Sequence, residues 1–335
     1  MRILIVSGSR ADLGSLEAVH EALKRHKVDT TFIKLPADLS KVGELFDLVI
    51  VEGDRFEILK ATTEVFLQKV PIVHLGGGDL TEGSQDDSMR HAISMLAHLH
   101  YTTCLESAKR VIQMGHEAWR VKVVGEPSVD HIKLMDLKEA KKLAGIEHFP
   151  NNWGIVIWHP DTLVDDFQVT TESIILVQAL NKFLIGLLVI GPNTDAGNER
   201  IRTHFEGWVN ARSGDGLETV YTEGLPRDVY LTLLANCNLL VGNSSSGYFE
   251  APSLGTPVVD IGDRQKGRVR SPNIVHCGII YNEIVSAIKT ALNKERIKVI
   301  NPYHSGNAAD QIAHDISRIK EPKKLLLKRF YTIRH

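Results

Sequence analysis

Cysteine is scarce in this chain. Cys104, Cys237 and Cys277 are the only three in 335 residues and make no C-x-x-C pair, so neither a zinc knuckle nor a disulfide framework is indicated. A reducing cytoplasm is the expected compartment. Aromatic residues are few as well, at 6%, yet 43% hydrophobic and 24% charged residues make up a folded globular composition, not a disordered or collagen-like one. No charge of one sign dominates: 39 basic against 41 acidic side chains leave a formal charge of −2. There is no polycationic surplus to drive binding to nucleic acid or anionic lipid, so any anion must be held locally. No run reaches the roughly eighteen apolar residues of a membrane span, and Ile3-Leu4-Ile5-Val6 is too short for a signal-sequence core. Neither export nor membrane insertion is expected. Fixed-period repeats and low-complexity stretches are absent too.

What is present is an alternation of short apolar runs with longer segments of helical period, the pattern of parallel βα units. The spacing predicts strands at Ile3–Ser7, Thr30–Ile33, Leu48–Val51, Ile72–His74 and Val121–Val124, with a helix carrying Leu13, Leu16, Val19 and Leu23 inward. Another helix is predicted over Ser84–Ala97, with Met89, Ile93 and Leu96 on its inner stripe. After the breaker residues Gly125-Glu126-Pro127-Ser128, a second series begins near Pro150, with strands at Gly154–Trp158, Leu187–Ile190, Val220–Thr222, Leu239–Val241 and Val258–Ile261. Asp166–Phe183 and Pro226–Ala235 are of helical length. The expected fold is α/β: two Rossmann-like domains facing each other across a cleft, the first covering 1–128 with a returning C-terminal segment 316–335, the second 129–315. The basic stretch from Lys320 to Arg329 reads as the solvated face of a terminal helix that packs Leu325, Leu326 and Leu327 onto the first domain.

In open parallel sheets, ligands bind beyond the carboxyl ends of the strands. Those positions are unusually polar here. Gly242-Asn243-Ser244-Ser245-Ser246-Gly247 follows a strand and opens a helix, so its small residues, hydroxyls and oriented amides suit a phosphate; the plainer reading is a serine-rich helix cap. The loop is neither a Walker A sequence nor G-x-G-x-x-G, which favours a diphosphate over a nicotinamide dinucleotide. Glu250, one turn into the helix, suits ribose hydroxyls or simply the helix dipole. Arg264 suits a phosphate or solvent.

Carboxylates gather in the first half. Asp54 and Asp79 sit at strand ends, where buried charge is costly unless used or paired, whereas Asp86 and Arg90 are four apart and also read as an intrahelical ion pair. Several carboxylates in one cleft would separate in pKa, leaving some as bases and others as acids. His91, His98 and His100 lack the spacing of a helical zinc site. His159, at a strand end before Pro160, reads equally as a site histidine or a turn residue.

Taken in order, Ser9-Arg10-Ala11-Asp12, Gly53-Asp54-Arg55, His74 through His91, Val124-Gly125-Glu126-Pro127, His159-Pro160, Pro192-Asn193-Thr194-Asp195, Gly242 through Pro252 and Gly262 through Arg268 resemble the UDP-N-acetylglucosamine 2-epimerase family, most closely its hydrolysing, sialic-acid pathway branch. The resemblance covers nearly the whole chain. It implies a glycosyltransferase-B-like fold, UDP bound by the second domain and sugar chemistry done by carboxylates of the first. In that chemistry the C2 proton leaves, UDP departs through a 2-acetamidoglucal, and water adds with inverted C2 configuration, giving N-acetylmannosamine from UDP-N-acetylglucosamine. No metal or nicotinamide cofactor is implied; a homodimer is. By the same resemblance, Asp54, Asp79, Asp86, Arg90 and His159 are catalytic, while Arg10, Asn193, Ser244, Ser245, Glu250 and Arg264 hold UDP. Other outcomes on this fold are hydrolysis of another UDP-2-acetamido sugar such as a UDP-2,4-diacetamido sugar, a non-hydrolysing epimerisation, transfer of the sugar to an acceptor, and binding without catalysis.

Two departures from the family pattern stand out. The position two after His74, often a catalytic glutamate, is Gly76, and Asp79 is the nearest acid. Only 43 residues separate Arg10 from Asp54, enough for one helix, one strand and a short connection.

Overall fold

A computed structural model describes residues 1–8, 12–130, 132–192, 197–214, 217–296 and 299–332. The chain forms two compact units. The first comprises Met1–Leu80, Gln85–His131 and Pro302–His335, the second Thr81–Ser84 and Ile132–Asn301.

In the first unit the elements run β1 (Arg2–Ser7), α1 (Leu13–Arg25), β2 (Asp29–Lys34), a single turn α2 (Val42–Leu45), β3 (Leu48–Glu52), α3 (Phe56–Leu67), β4 (Ile72–Leu75), α4 (Asp86–Leu96), β5 (Leu99–Thr102), α5 (Leu105–Gln113) and β6 (Val121–Val123). The strands form one parallel sheet in the order β2-β1-β3-β4-β5-β6. Successive strand residues point to opposite faces, and both faces of β1, β3, β4 and β5 are covered, which is why β1, β3 and β4 read as nearly unbroken apolar runs while the edge strands β2 and β6 do not. Ile3, Ile5, Leu48, Ile50 and Val73 pack with Leu16, Val19 and Leu23 of α1 on one side. On the other side, Leu4, Val6, Val49, Val51 and Ile72 pack with Ile58, Val65 and Ile93.

The second unit runs α6 (Leu137–Leu143), β7 (Trp153–Ile157), α7 (Asp166–Leu180), β8 (Gly186–Ile190), α8 (Asn198–Gly214), β9 (Thr219–Thr222), α9 (Arg227–Asn236), β10 (Leu239–Gly242), α10 (Ser246–Leu254), β11 (Val258–Ile261), β12 (Ile274–Cys277) and α11 (Tyr281–Leu292). Its parallel order is β12-β11-β10-β7-β8-β9. The strand order reverses between β1 and β3 in the first sheet and between β7 and β10 in the second. Ligands of doubly wound folds bind at such points.

The chain then returns to the first unit with α12 (Ala308–Ser317). The return begins at Pro302, not at 316, because Ala308, Ile312 and Ile316 form one apolar stripe that packs on α1. The crossing out of the first unit follows residue 131, against an expected 128. Beyond α12 the expected terminal helix is a short 3-10 turn at Pro322–Leu326, and of its leucines Leu325 is buried while Leu327 is three-quarters exposed. The buried Arg120 guanidinium explains the register, donating to the carbonyls of Leu325 and Leu327. β12, a four-residue strand half-buried over Ile274–His276, was not expected; it pairs in parallel with β11 at the edge of the sheet. Among the described residues no helix is long and apolar enough to cross a membrane.

Candidate active site

In the first unit, β3 delivers Glu52 and then, after Gly53, Asp54. Arg90 lies on α4 and is 2% exposed. Its Nη2 donates to Asp54 Oδ2, while Nη1 donates to the Asp79 carbonyl at 2.9 Å and lies 3.4 Å from Asp87 Oδ1. Burial lowers the pKa of Arg90, but the charges of Asp54, Asp79 and Asp87 outweigh it and hold the guanidinium above its ordinary value. The inner stripe of α4 is therefore Arg90, Ile93 and Ser94, with Met89 only half-buried, because a paired guanidinium takes the inward position. Asp86 opens α4 and is half-buried.

His74, on β4, is wholly buried. Its Nε2 lies 2.9 Å from the Gly53 carbonyl and its Nδ1 3.0 Å from Ser94 Oγ. A carbonyl only accepts, so Nε2 carries the proton and Nδ1 accepts from the serine. Burial, reinforced by Arg90, lowers the pKa of His74 to about 4, so the imidazole is neutral at pH 7 and serves to hold the Gly53 turn.

Gly76 follows with φ +73°, and a Cβ there would meet no atom within 4 Å. Space is present for a side chain; backbone conformation is what favours glycine. Asp79 is buried, its Oδ1 accepting from Thr103 Oγ1 at 2.5 Å and Ser107 Oγ at 2.6 Å. The acid nearest to Gly76 in sequence is thus anchored to the start of α5.

A second carboxyl group, not singled out in the sequence, surrounds Ser15 of α1. Ser15 Oγ donates to Glu126 Oε1, Glu126 also accepts from the Ser128 amide at 3.1 Å, and Asp12 accepts from the Gly8 amide at 2.7 Å. Burial, with Glu126, Asp12 and Asp54 nearby, pushes Glu52 well above the usual carboxylate range. Glu52, beside the Asp54 turn, thus holds its proton more tightly than an exposed carboxyl does. The signal available in the sequence was its place on an apolar strand end.

In the second unit, β7 leads through Trp158 to His159, which is half-buried, and β10 leads into the hydroxyl-rich loop. Gly242 has φ +138°, and a Cβ there would stand 1.8 Å from the Ile157 carbonyl oxygen, so only glycine fits. Asn243 bonds the main chain of His159 in both directions, its Oδ1 accepting from the amide at 2.7 Å and its Nδ2 donating to the carbonyl at 2.8 Å. Ser244 and Ser245 are half-buried; the carbonyls of Ser244 and Ser245 take the amides of Gly247 and Tyr248, starting α10. Glu250 is buried on α10 and accepts from Arg227 Nη1 at 3.2 Å. Arg264 is buried after β11, with Nη1 donating to the Pro160 carbonyl at 2.5 Å.

The Thr81–Ser84 segment belongs to this unit. The Glu82 amide donates to the Lys266 carbonyl at 3.2 Å, the Gly83 amide to that of Asp263 at 3.1 Å, and Ser84 Oγ lies 3.2 Å from Thr162 Oγ1. Beyond it, Arg268 lies over the Phe249 ring at 4.5 Å, while Tyr248 Oη and His276 Nδ1 both reach Asp260, at 2.7 and 2.9 Å. Arg10 and Asn193, expected to hold UDP, lie outside the described residues. Asp54, Asp79 and Arg90 are brought together in the first unit; His159, Ser244, Ser245 and Arg264 are gathered in the second around Asn243, which sequence reasoning treated only as part of a loop.

The UDP-N-acetylglucosamine 2-epimerase family profile matches residues 37–317. A hydrolysing UDP-N,N′-diacetylbacillosamine 2-epimerase of Legionella pneumophila is 31% identical over 295 residues, covering 85% of this chain and 74% of that one. The UDP-N-acetylglucosamine 2-epimerase of Neisseria meningitidis is 28% identical over 287 residues, 83% and 72% of the two chains. Among solved structures, the epimerase of Methanocaldococcus jannaschii in complex with UDP-GlcNAc and UDP superposes with a TM-score of 0.75 at 16% identity, over 95% of this chain and 99% of that one. The two parallel six-stranded sheets thus form the glycosyltransferase-B-like two-domain fold, and the chain belongs to the UDP-N-acetylglucosamine 2-epimerase family of nucleotide-sugar enzymes.

Proposed function

We propose that this protein is a hydrolysing 2-epimerase of a UDP-linked 2-acetamido sugar, with UDP-N-acetylglucosamine as substrate and N-acetylmannosamine plus UDP as products. The observation that carries the reading is the Asp54–Arg90 pair at the carboxyl end of β3, a strand-end carboxylate held beside a buried cation in a chain of this family. A carboxylate so placed suits removal of the weakly acidic C2 proton, and general acid–base groups of this kind contribute about 10²–10⁴-fold to rate. Breaking the C1–oxygen bond then releases UDP and leaves a C1=C2 double bond. Addition of water at C1 and of a proton to the opposite face of C2 completes the hydrolysis with inversion. Asp54, Asp79 and Asp86 are assigned the proton transfers, Arg90 the charge beside them, and His159 the departing diphosphate. Ser244, Ser245 and the N-terminus of α10 suit the phosphates, aided by Arg10, Asn193 and Arg264, and Glu250 suits the ribose.

Incubation with UDP-N-acetylglucosamine in deuterium oxide tests this. Release of UDP and of N-acetylmannosamine deuterated at C2 is expected; retention of the C2 proton through turnover overturns the mechanism. A UDP-2,4-diacetamido sugar is the second reading, favoured by the Legionella relative. A comparison of kcat/KM on the two substrates separates them.

A further inference from the structure

We propose that Asn243 is a positioning residue for His159, fixing the histidine to the loop that receives the diphosphate; this rests on the reading of His159 as acting beside that leaving group. Asn243 directly follows β10 and His159 lies two residues beyond β7, the neighbouring strands at which the order of the second sheet reverses. Gly242 lets the two backbones close to a distance no other residue permits, and the Asn243 amide then donates to the Ile157 carbonyl at 3.2 Å. The Asn243 side chain takes both the amide and the carbonyl of His159, at 2.7 and 2.8 Å. A primary amide alone offers one acceptor and one donor at this reach; aspartate lacks the donor and glutamine is a methylene longer.

Two further side chains extend the clamp. Gln265 Nε2 donates to the Asn243 carbonyl at 2.9 Å, and Arg264 Nη1 donates to the Pro160 carbonyl at 2.5 Å. Asn243, Arg264 and Gln265 are all buried. The main chain of His159 is thereby held at both its polar groups, which fixes the backbone origin of its imidazole. Because Asn243 immediately precedes Ser244, the same residue that anchors the phosphate loop sets the origin of the histidine. Misplacement of a reacting group by about 1 Å costs on the order of 10²-fold in rate.

The experiment is a double-mutant cycle on the full chain, with kcat and KM measured on UDP-N-acetylglucosamine and UDP affinity by calorimetry. Asn243→Ala is expected to lower kcat about 30-fold while the UDP dissociation constant stays within about threefold, and to lower it less than about twofold further in a His159→Ala background. Equal losses of kcat in the two backgrounds overturn the proposal, as does a loss of UDP affinity in step with kcat. Gln265→Leu is the second variant if Asn243→Ala fails to fold. Gln265→Leu is nearly isosteric, removes an Oε1 with no partner among the described residues, and leaves the Asn243 carbonyl without its donor while every contact of the Asn243 side chain stays in place. It is expected to lower kcat about fivefold at unchanged UDP affinity, again only when His159 is present; wild-type kcat overturns the clamp. His159→Ala turning over at the wild-type rate overturns the role of His159 itself, and the clamp with it, whereas an impaired His159→Ala with additive Asn243→Ala overturns the clamp alone.

Discussion

The Arg90 guanidinium, buried on α4, donates to the Asp54 carboxylate at the end of β3, joining residues 36 positions apart. Two consequences are separable, one chemical and one energetic, because Asp54 is a quarter exposed while Arg90 is not.

Asp54→Asn removes the charge at the reacting end and leaves the second unit untouched. Turnover is expected to fall about 10²–10⁴-fold with UDP affinity unchanged. Steady-state UDP release and calorimetric UDP titration measure the two quantities independently. A parallel loss of affinity would place Asp54 among the binding groups.

Arg90→Met removes the donor to the Asp79 carbonyl and the guanidinium beside Asp54 and Asp87. Breaking a buried pair costs about 3–5 kcal/mol, and the partial exposure of Asp54 reduces the expected loss to about 2–3 kcal/mol. Urea denaturation of the two proteins reads this difference directly. An unchanged midpoint would show that solvent replaces the guanidinium.

Acid should destabilise the protein well before its ordinary carboxylates protonate. Burial lowers His98 to about 3, His74 and His116 each to about 4, and His100 well below its usual value; the neighbouring histidines and cations add to the shifts. Between about pH 6.5 and 4 the unfolded chain binds protons that the folded chain refuses, so stability rises with pH across that window, by at most about 1.4 kcal/mol per pH unit for each histidine. Glu52 acts in the opposite sense, because its raised pKa makes the folded chain hold a proton that the unfolded chain gives up above about pH 4.5. His20 and His204 are lowered too and Asp161 and Glu172 raised, so among the described residues six histidines stand against three carboxyls. Urea midpoints at pH 7, 6 and 5 should therefore fall steadily, and His100→Phe should flatten the slope.

Gly242→Ala places a methyl group 1.8 Å from the Ile157 carbonyl oxygen. Backbone meets backbone there, so no side chain can give way, and β10 must separate from β7. A loss of more than about 3 kcal/mol is expected, seen as insoluble expression or a collapsed melting temperature. Wild-type melting would mean that the two strands pair less closely.

Much of this was legible in the sequence. Apolar runs at β1, β3, β4, β7, β8, β10 and β11 announce a doubly covered parallel sheet because each strand is buried on both faces. β12 escaped notice because Ile274-Val275-His276 is only half-buried at a sheet edge. The stripe of α4 was misjudged because a cation occupies its inward position, which hydrophobic periodicity cannot register. Asp54 and His159 stand out in the sequence at strand ends and Arg90 by motif order; Asn243, Glu52 and Glu126 do not, since their contacts are with residues 80 or more positions away or on neighbouring elements.

The sequence alone determined the class of fold, the strand-end positions of the polar residues and the family, because burial imposes periodicity and chemistry demands particular side chains in a particular order. Tertiary structure decided which polar groups meet: Asp54 with Arg90, Asp79 with Thr103 and Ser107, and Asn243 with the backbone of His159. Those pairings follow from the order of strands across each sheet, a long-range property that local composition does not encode.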